Sequence, residues 1–298
     1  MGFFAELQTW LDTELTKYIG TYSAKIAAAL EPAAVTLAVL YVMTWGYLLA
    51  TGKIEEPLIT GVKRILTVAF VFGVGFKLWL YQDVIVDIFY NGPTQLASQA
   101  IGAPTSADAV DKIFDAGSQV GEALLAKGGL FTSGNLIYIL AGFLVFIVFG
   151  ILCVYVFFLL SLAKVVLSVL LAIGPLFIFL LLFNSTRRYF EAWIGQMATY
   201  GFVALLTVMV VAVLMHVLQQ AEQQAINAGA AIQAVEAIRV CLAGFLVILV
   251  LTQVGTIAHG LGHGFAVQTN SLVGRGVKWG LSKGWRSMEK MKKKLAAA

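Results

Sequence analysis

The sequence predicts an all-α, polytopic membrane protein. Hydrophobic residues make up 60% of the 298 and charged residues only 12%, with a mean hydropathy of +0.88. A soluble domain carries about twice that charged fraction. Apolar runs near the ~20 residues a helix needs to cross a ~30 Å hydrocarbon core recur along the chain. High hydropathy with few charges excludes a disordered chain. Cys153 and Cys241 lie inside apolar runs and give neither a disulfide framework nor a CxxC motif.

The opening MGFFAELQTW lacks a basic region ahead of an apolar core, so no removable signal peptide is expected. Glu6 occupies the place where N-myristoylation wants Ser or Thr. Over residues 1–32, Phe3, Leu7, Trp10, Leu11, Leu15 and Tyr18 recur at three- and four-residue steps between Glu6, Asp12, Glu14 and Lys17, which predicts an amphipathic interfacial helix. Residues 33–81 hold two spans, Ala33 to Ala50 and Ile65 to Tyr81; the second carries Lys77 near one end, where its stem can snorkel. Residues 82–135 form a polar central segment. Asn91-Gly92-Pro93, Gly102-Ala103-Pro104 and Gly128-Gly129 predict turns around a helix from Ser106 to Ala126, with Ser106 as its cap.

Residues 136–258 contain the remaining spans: Leu136 to Phe183, Met197 to Leu218 and Val240 to Ala258. Gln219 to Arg239, rich in Ala and Gln, reads as a helical extension between the last two. Residues 259–298 form a basic tail. Because Lys and Arg stay on the cytoplasmic side, segment charges orient the chain. Net charges are −2 for 1–32, +1 for 51–64, −4 for 82–135, +1 for 184–196, −1 for 219–239 and +7 for 259–298. This alternation expects about five net crossings, with the N-terminus and central segment periplasmic and the tail cytoplasmic. The run Leu136 to Phe183 is 48 residues, ~72 Å as a helix. It must be either one span with a re-entrant or protein-buried part, broken near Ser161, Lys164 or Gly174-Pro175, or a long helix protruding within an oligomer.

Catalytic signatures are missing from the sequence. Gly46 to Lys53 has the wrong glycine spacing for a phosphate-binding loop and is followed by Ile54 instead of Ser or Thr. HExxH and GxSxG do not occur, and the apolar runs hold no internal carboxylate of the kind proton-coupled carriers use. No cofactor or catalytic residue is expected. A secondary transporter of a small solute is the alternative reading. His259 and His263 have metal-ligand spacing without Cys, Asp or Glu to complete a shell, and His216 near the end of its span reads as a polar anchor. In the tail, Arg275, Lys278, Lys283 and Arg286 interleave with Trp279 and Trp285; attachment to anionic headgroups is favoured over contact with nucleic acid or an acidic partner.

The most distinctive text is Gly174-Pro175-Leu176-Phe177-Ile178, followed by Leu181 to Gln196 with Arg187, Arg188, Trp193, Gly195 and Gln196. It resembles the TrbL-like polytopic inner-membrane subunit of type IV secretion and conjugation systems. Pro175 frees a backbone carbonyl, Arg187 and Arg188 fix a cytoplasmic end, and Trp193 reads as an interfacial anchor. The resemblance implies a non-enzymatic, homo-oligomeric channel or platform subunit in the bacterial inner membrane, supporting pilus biogenesis and translocation of DNA or protein. It also implies partners: pilins, inner-membrane scaffold proteins and ATPases, together with membrane lipids and transient contact with the translocated substrate.

Overall fold

The computed structural model describes residues 2–53, 58–101, 106–128, 136–228, 238–262 and 264. Among these residues the regular structure is helical throughout, with no strand. Four helices are long and apolar enough to cross a membrane, and a bent pair brings the number to five if it counts as one span.

Helix α1 runs unbroken over Phe3–Ala50, 48 residues and ~72 Å. The expected division between an interfacial helix and a first span is therefore not a break in the backbone. Pro32 sits inside the helix, where it costs one amide donor without ending the run. At the far end Gly52 adopts φ 66°, Gly52 N–H donates to Leu49 O (3.2 Å), and Lys53 N–H donates to Leu48 O (3.1 Å). That pairing is a glycine-terminated helix cap.

Helix α2 (Leu58–Phe70) passes into a π-helical turn, Val71–Gly75, and the chain then bends. Beyond the bend, α3 (Leu78–Leu80), a π-helical stretch (Tyr81–Asn91) and α4 (Gly92–Ile101) run on. The angle between Thr60–Gly75 and Leu78–Gln99 is 88°. The span expected from Ile65 to Tyr81 is thus broken, and exposed Lys77 stands at the break with extended backbone (ψ 101°). The turn expected at Asn91-Gly92-Pro93 lies inside the helical run: Gly92 N–H donates five residues back to Asp87 O, the Asn91 amide donates to Asp87 Oδ1 (2.9 Å), and Pro93 enters the first turn of α4. Proline is tolerated there because first-turn amides have no helical acceptor.

Helix α5 (Ser106–Gly128) matches the helix expected in the central segment. Its Ala109, Ile113, Ala116, Val120 and Leu124 are buried, while Lys112, Asp115, Gln119 and Glu122 form an exposed polar stripe. It packs against α6 (Leu136–Ala172), closely enough that a methyl on Gly117 would lie 2.6 Å from the Phe149 ring and one on Gly121 2.7 Å from Phe146. As the α5 number rises the α6 partner's falls, so the two are antiparallel. Helix α6 is continuous through Ser161 and Lys164, and the chain breaks only at Gly174-Pro175. A short α7 (Gly174–Leu180) and a turn lead into α8 (Arg187–Ala228), which carries the expected extension beyond the apolar run. Helix α9 (Ile238–Gly262) adds Val240, Cys241, Leu251, Val254 and Ala258 to a core shared by α5, α6 and α8. A second apolar cluster joins α1, the Val71–Asn91 stretch, the end of α6, α7 and the start of α8.

Candidate functional site

The second cluster gathers the sequence signature around the broken end of α6. In an α-helix the carbonyl of residue 171 accepts from the amide of residue 175, and Pro175 has no N–H. The Leu171 carbonyl left over accepts instead from the Tyr81 hydroxyl, at 2.5 Å. One residue earlier, the Leu170 carbonyl accepts from Trp193 Nε1 at 2.9 Å. Two aromatic side chains from separate segments thus complete the end of the long helix, as buried carbonyls require.

Gly174 is what admits them. A Cβ at that position would collide with the Tyr81 hydroxyl and lie 2.9 Å from the Trp193 ring. Trp193 is 2% exposed and stacks on Phe177 (5.7 Å, 9°) with Phe190 tilted against it (5.7 Å, 43°). The interfacial-anchor reading of Trp193 therefore gives way to a buried one, in which the indole N–H serves the backbone rather than headgroups. Gly195 is buried, and its carbonyl accepts from Thr199 Oγ1 (2.8 Å). Gly262 of α9 comes so close to this turn that a Cβ there would lie 2.9 Å from Gly195 O. Gln196 is half-buried. Arg187 and Arg188 stay at the surface: Arg187 Nε meets Glu191 Oε1 at 3.1 Å, and Arg188 donates to the Tyr189 hydroxyl at 3.1 Å.

About three turns back from the break lies a feature that sequence reading did not assemble. Lys164 is buried in the apolar length of α6, its side chain 7% exposed. Its Nζ donates to Asp12 Oδ2 of α1 at 2.5 Å and stands 5.0 Å from the Tyr90 ring centre. The Tyr90 hydroxyl donates to the other carboxylate oxygen, Asp12 Oδ1, at 3.0 Å. An ammonium among apolar side chains requires a counter-charge, and α1 supplies it. The contacts Phe4–Phe157 (5.5 Å) and Asp12–Lys164 advance together along both helices, so the start of α1 runs parallel to the second half of α6. The first amides of α1 are in turn held by α5, where Asp111 accepts from Phe4 N–H (3.1 Å) and Ala5 N–H (3.0 Å). A carboxylate there also suits the positive end of the helix dipole.

The arrangement binds helices to one another; its polar atoms are engaged in completing backbone and pairing charge. Of the remaining expected residues, His259 packs its ring against Tyr200 (6.3 Å) and His216 is exposed on α8. His263, Arg275, Lys278, Trp279, Lys283, Trp285 and Arg286 lie outside the described residues.

Comparison with known proteins bears on the same block. Residues 38–254 match the family described as TrbL/VirB6 plasmid conjugal transfer protein. The chain is 22% identical over 212 residues to the type IV secretion system protein VirB6 of Bartonella quintana (strain Toulouse), covering 67% of this chain and 60% of that protein. It is 25% identical over 213 residues to protein VirB6 of Agrobacterium tumefaciens (strain 15955), covering 68% of each. With the type IV secretion system protein VirB6 of Brucella abortus biovar 1 (strain 9-941) the identity is 25% over 209 residues, 66% of this chain and 59% of the relative. The match thus spans about three fifths of the Bartonella and Brucella proteins. Since the matched stretch takes in α2 to α8 together with most of α9, including the whole Gly174-to-Gln196 block, the chain belongs to the TrbL/VirB6 family.

Proposed function

We propose that this chain is a non-enzymatic, multi-pass inner-membrane subunit of a type IV secretion system, packed against copies of itself in a platform that supports pilus biogenesis and the passage of DNA or protein. Family membership and the relatives' names support the secretion assignment.

One observation carries the oligomer. Leu140, Ile147, Ile151, Val154, Phe158 and Val165 follow one another at helical steps and are exposed along α6. The helix is 37 residues, ~55 Å, and even at a 40° tilt would rise ~42 Å against a ~30 Å hydrocarbon core. Its first half lies beside α5, whose other face presents Lys112, Asp115 and Glu122. Lipid tails do not cover a helix flanked by such charges, so protein must shield the outer part of the stripe. In this reading the central segment and N-terminus are periplasmic and the basic tail is cytoplasmic, where Arg275, Lys278, Trp279, Lys283, Trp285 and Arg286 meet headgroups. Pilins, scaffold proteins and ATPases are the remaining partners.

The test is Leu140→Lys combined with Ile147→Lys, with Val165→Ser as a control in the second half of the helix. The double variant should insert normally, sediment as a smaller species and lose transfer, while the control keeps both. Unchanged assembly mass together with unchanged transfer in the double variant would refute the proposal.

A further inference from the structure

Where α1, α2 and the turn between α7 and α8 meet, they form a half-open cavity of ≈ 190 Å³. Lys63 and Arg64 of α2 line it from one side, Arg187 and Asn184 of the turn from another, and Tyr41 of α1 from a third, with Thr67 beside them. No carboxylate among the described residues lines it. Lys63, Arg64 and Arg187 thus bring three cationic side chains to one place from two separate segments. The two arginines are held in place by neighbours. Arg64 donates to the Tyr41 hydroxyl (3.2 Å) and lies over the Tyr41 and Trp45 rings (5.8 Å each), while Arg187 Nε engages Glu191 (3.1 Å).

We propose that this cavity binds a phosphate-ester anion, with the headgroup of an anionic phospholipid as its source. Hydroxyl, amide, ammonium and guanidinium donors converging on one small volume are what phosphate oxygens require. The surroundings suit a lipid. Val68 and Leu182 form apolar wall, and Val62, Ile65 and Leu66 on α2 with Leu40 and Met43 on α1 are exposed and can lie along acyl chains. Basic pockets between transmembrane helices on the cytoplasmic side are suited to such headgroups, and these cations belong to the two segments with net charge +1. A bound headgroup ties the bent α2 arm to the turn that opens α8. The inference rests on the membrane-spanning reading and is independent of secretion.

The experiment uses the full chain purified in detergent, titrated with phosphatidylglycerol, phosphatidylcholine and inorganic phosphate, with bound adducts read by native mass spectrometry and stability by thermal midpoint. Phosphatidylglycerol should be retained in preference to phosphatidylcholine, and retention should fall about fivefold for Lys63→Gln, at roughly one basic contact's worth per charge. The double variant Lys63→Gln, Arg187→Gln should lose more, and Lys17→Gln, an exposed lysine elsewhere, should lose nothing. If inorganic phosphate alone raises the midpoint and displaces the lipid with the same sensitivity to Lys63→Gln, the anion site stands with free phosphate as its source. Equal retention of both lipids with no response to phosphate, or unchanged phosphatidylglycerol binding in both variants, overturns it. Lys63 is exposed, so its single variant remains informative even if the double variant fails to fold.

Discussion

At the scale of single residues, the buried ion pair has the sharpest consequence. Lys164→Ala leaves the Asp12 carboxylate and the Tyr90 hydroxyl facing an apolar helix. Removing one member of a buried pair costs about 3–5 kcal/mol, and the 31% exposure of the Asp12 side chain places this case near the lower figure. Asp12→Asn should cost at least as much, because the ammonium that loses its counter-charge is the more buried partner. Replacing both by Leu should recover most of either loss, since apolar packing substitutes well for a buried pair. Thermal midpoints of the three purified proteins test this, and strictly additive losses would count against the pairing. Nothing in the sequence announced the contact. Lys164 was recognisable as an anomaly in an apolar run, but its partner lies 152 residues away in a helix whose charges looked solvated.

Among the elements, the end of α6 yields a second prediction. Pro175 as the residue that frees a carbonyl was legible in the sequence; the donor that answers it was not. Tyr81→Phe leaves the Leu171 carbonyl buried without its donor, a loss of about 1–3 kcal/mol. In a Pro175→Ala background the restored amide at 175 can bond Leu171 in the ordinary helical pattern, and Tyr81→Phe should then cost less than about 0.5 kcal/mol. A double-mutant cycle on thermal stability measures the difference, and an equal cost in both backgrounds would show that the hydroxyl does not replace the missing amide. The other element-level differences share one cause. Asn91-Gly92-Pro93 and Lys77 are local signals whose outcome is set by packing: the first is absorbed into a helical run that packs on α8, where a Cβ on Gly201 would lie 3.0 Å from the Pro93 ring, and Lys77 stands at an 88° bend.

For the whole molecule, the charge alternation and the helix count meet in one measurement. Single cysteines at Thr51 and Gln119, both exposed, should label from opposite faces of the membrane, Gln119 from the periplasm. Labelling from the same side would overturn the crossing pattern. The native cysteines, Cys153 and Cys241, are buried and should contribute little background. The length of α6 also limits how the molecule sits: only part of a ~55 Å apolar helix fits the hydrocarbon, and in the proposed orientation α5 marks the half that stands clear of it.

The sequence by itself determined the helical class, the helix of the central segment and the family signature, and it left the break in the long apolar run open among Ser161, Lys164 and Gly174-Pro175. These follow from composition, helical periodicity and residues whose backbone chemistry is local. The tertiary structure decided that α1 is a single helix, that the second span is bent, that Trp193 is buried, and that Asp12, Lys164 and Tyr90 form one cluster. Burial and charge pairing depend on which faces meet, and faces separated by many tens of residues are brought together only when the helices pack.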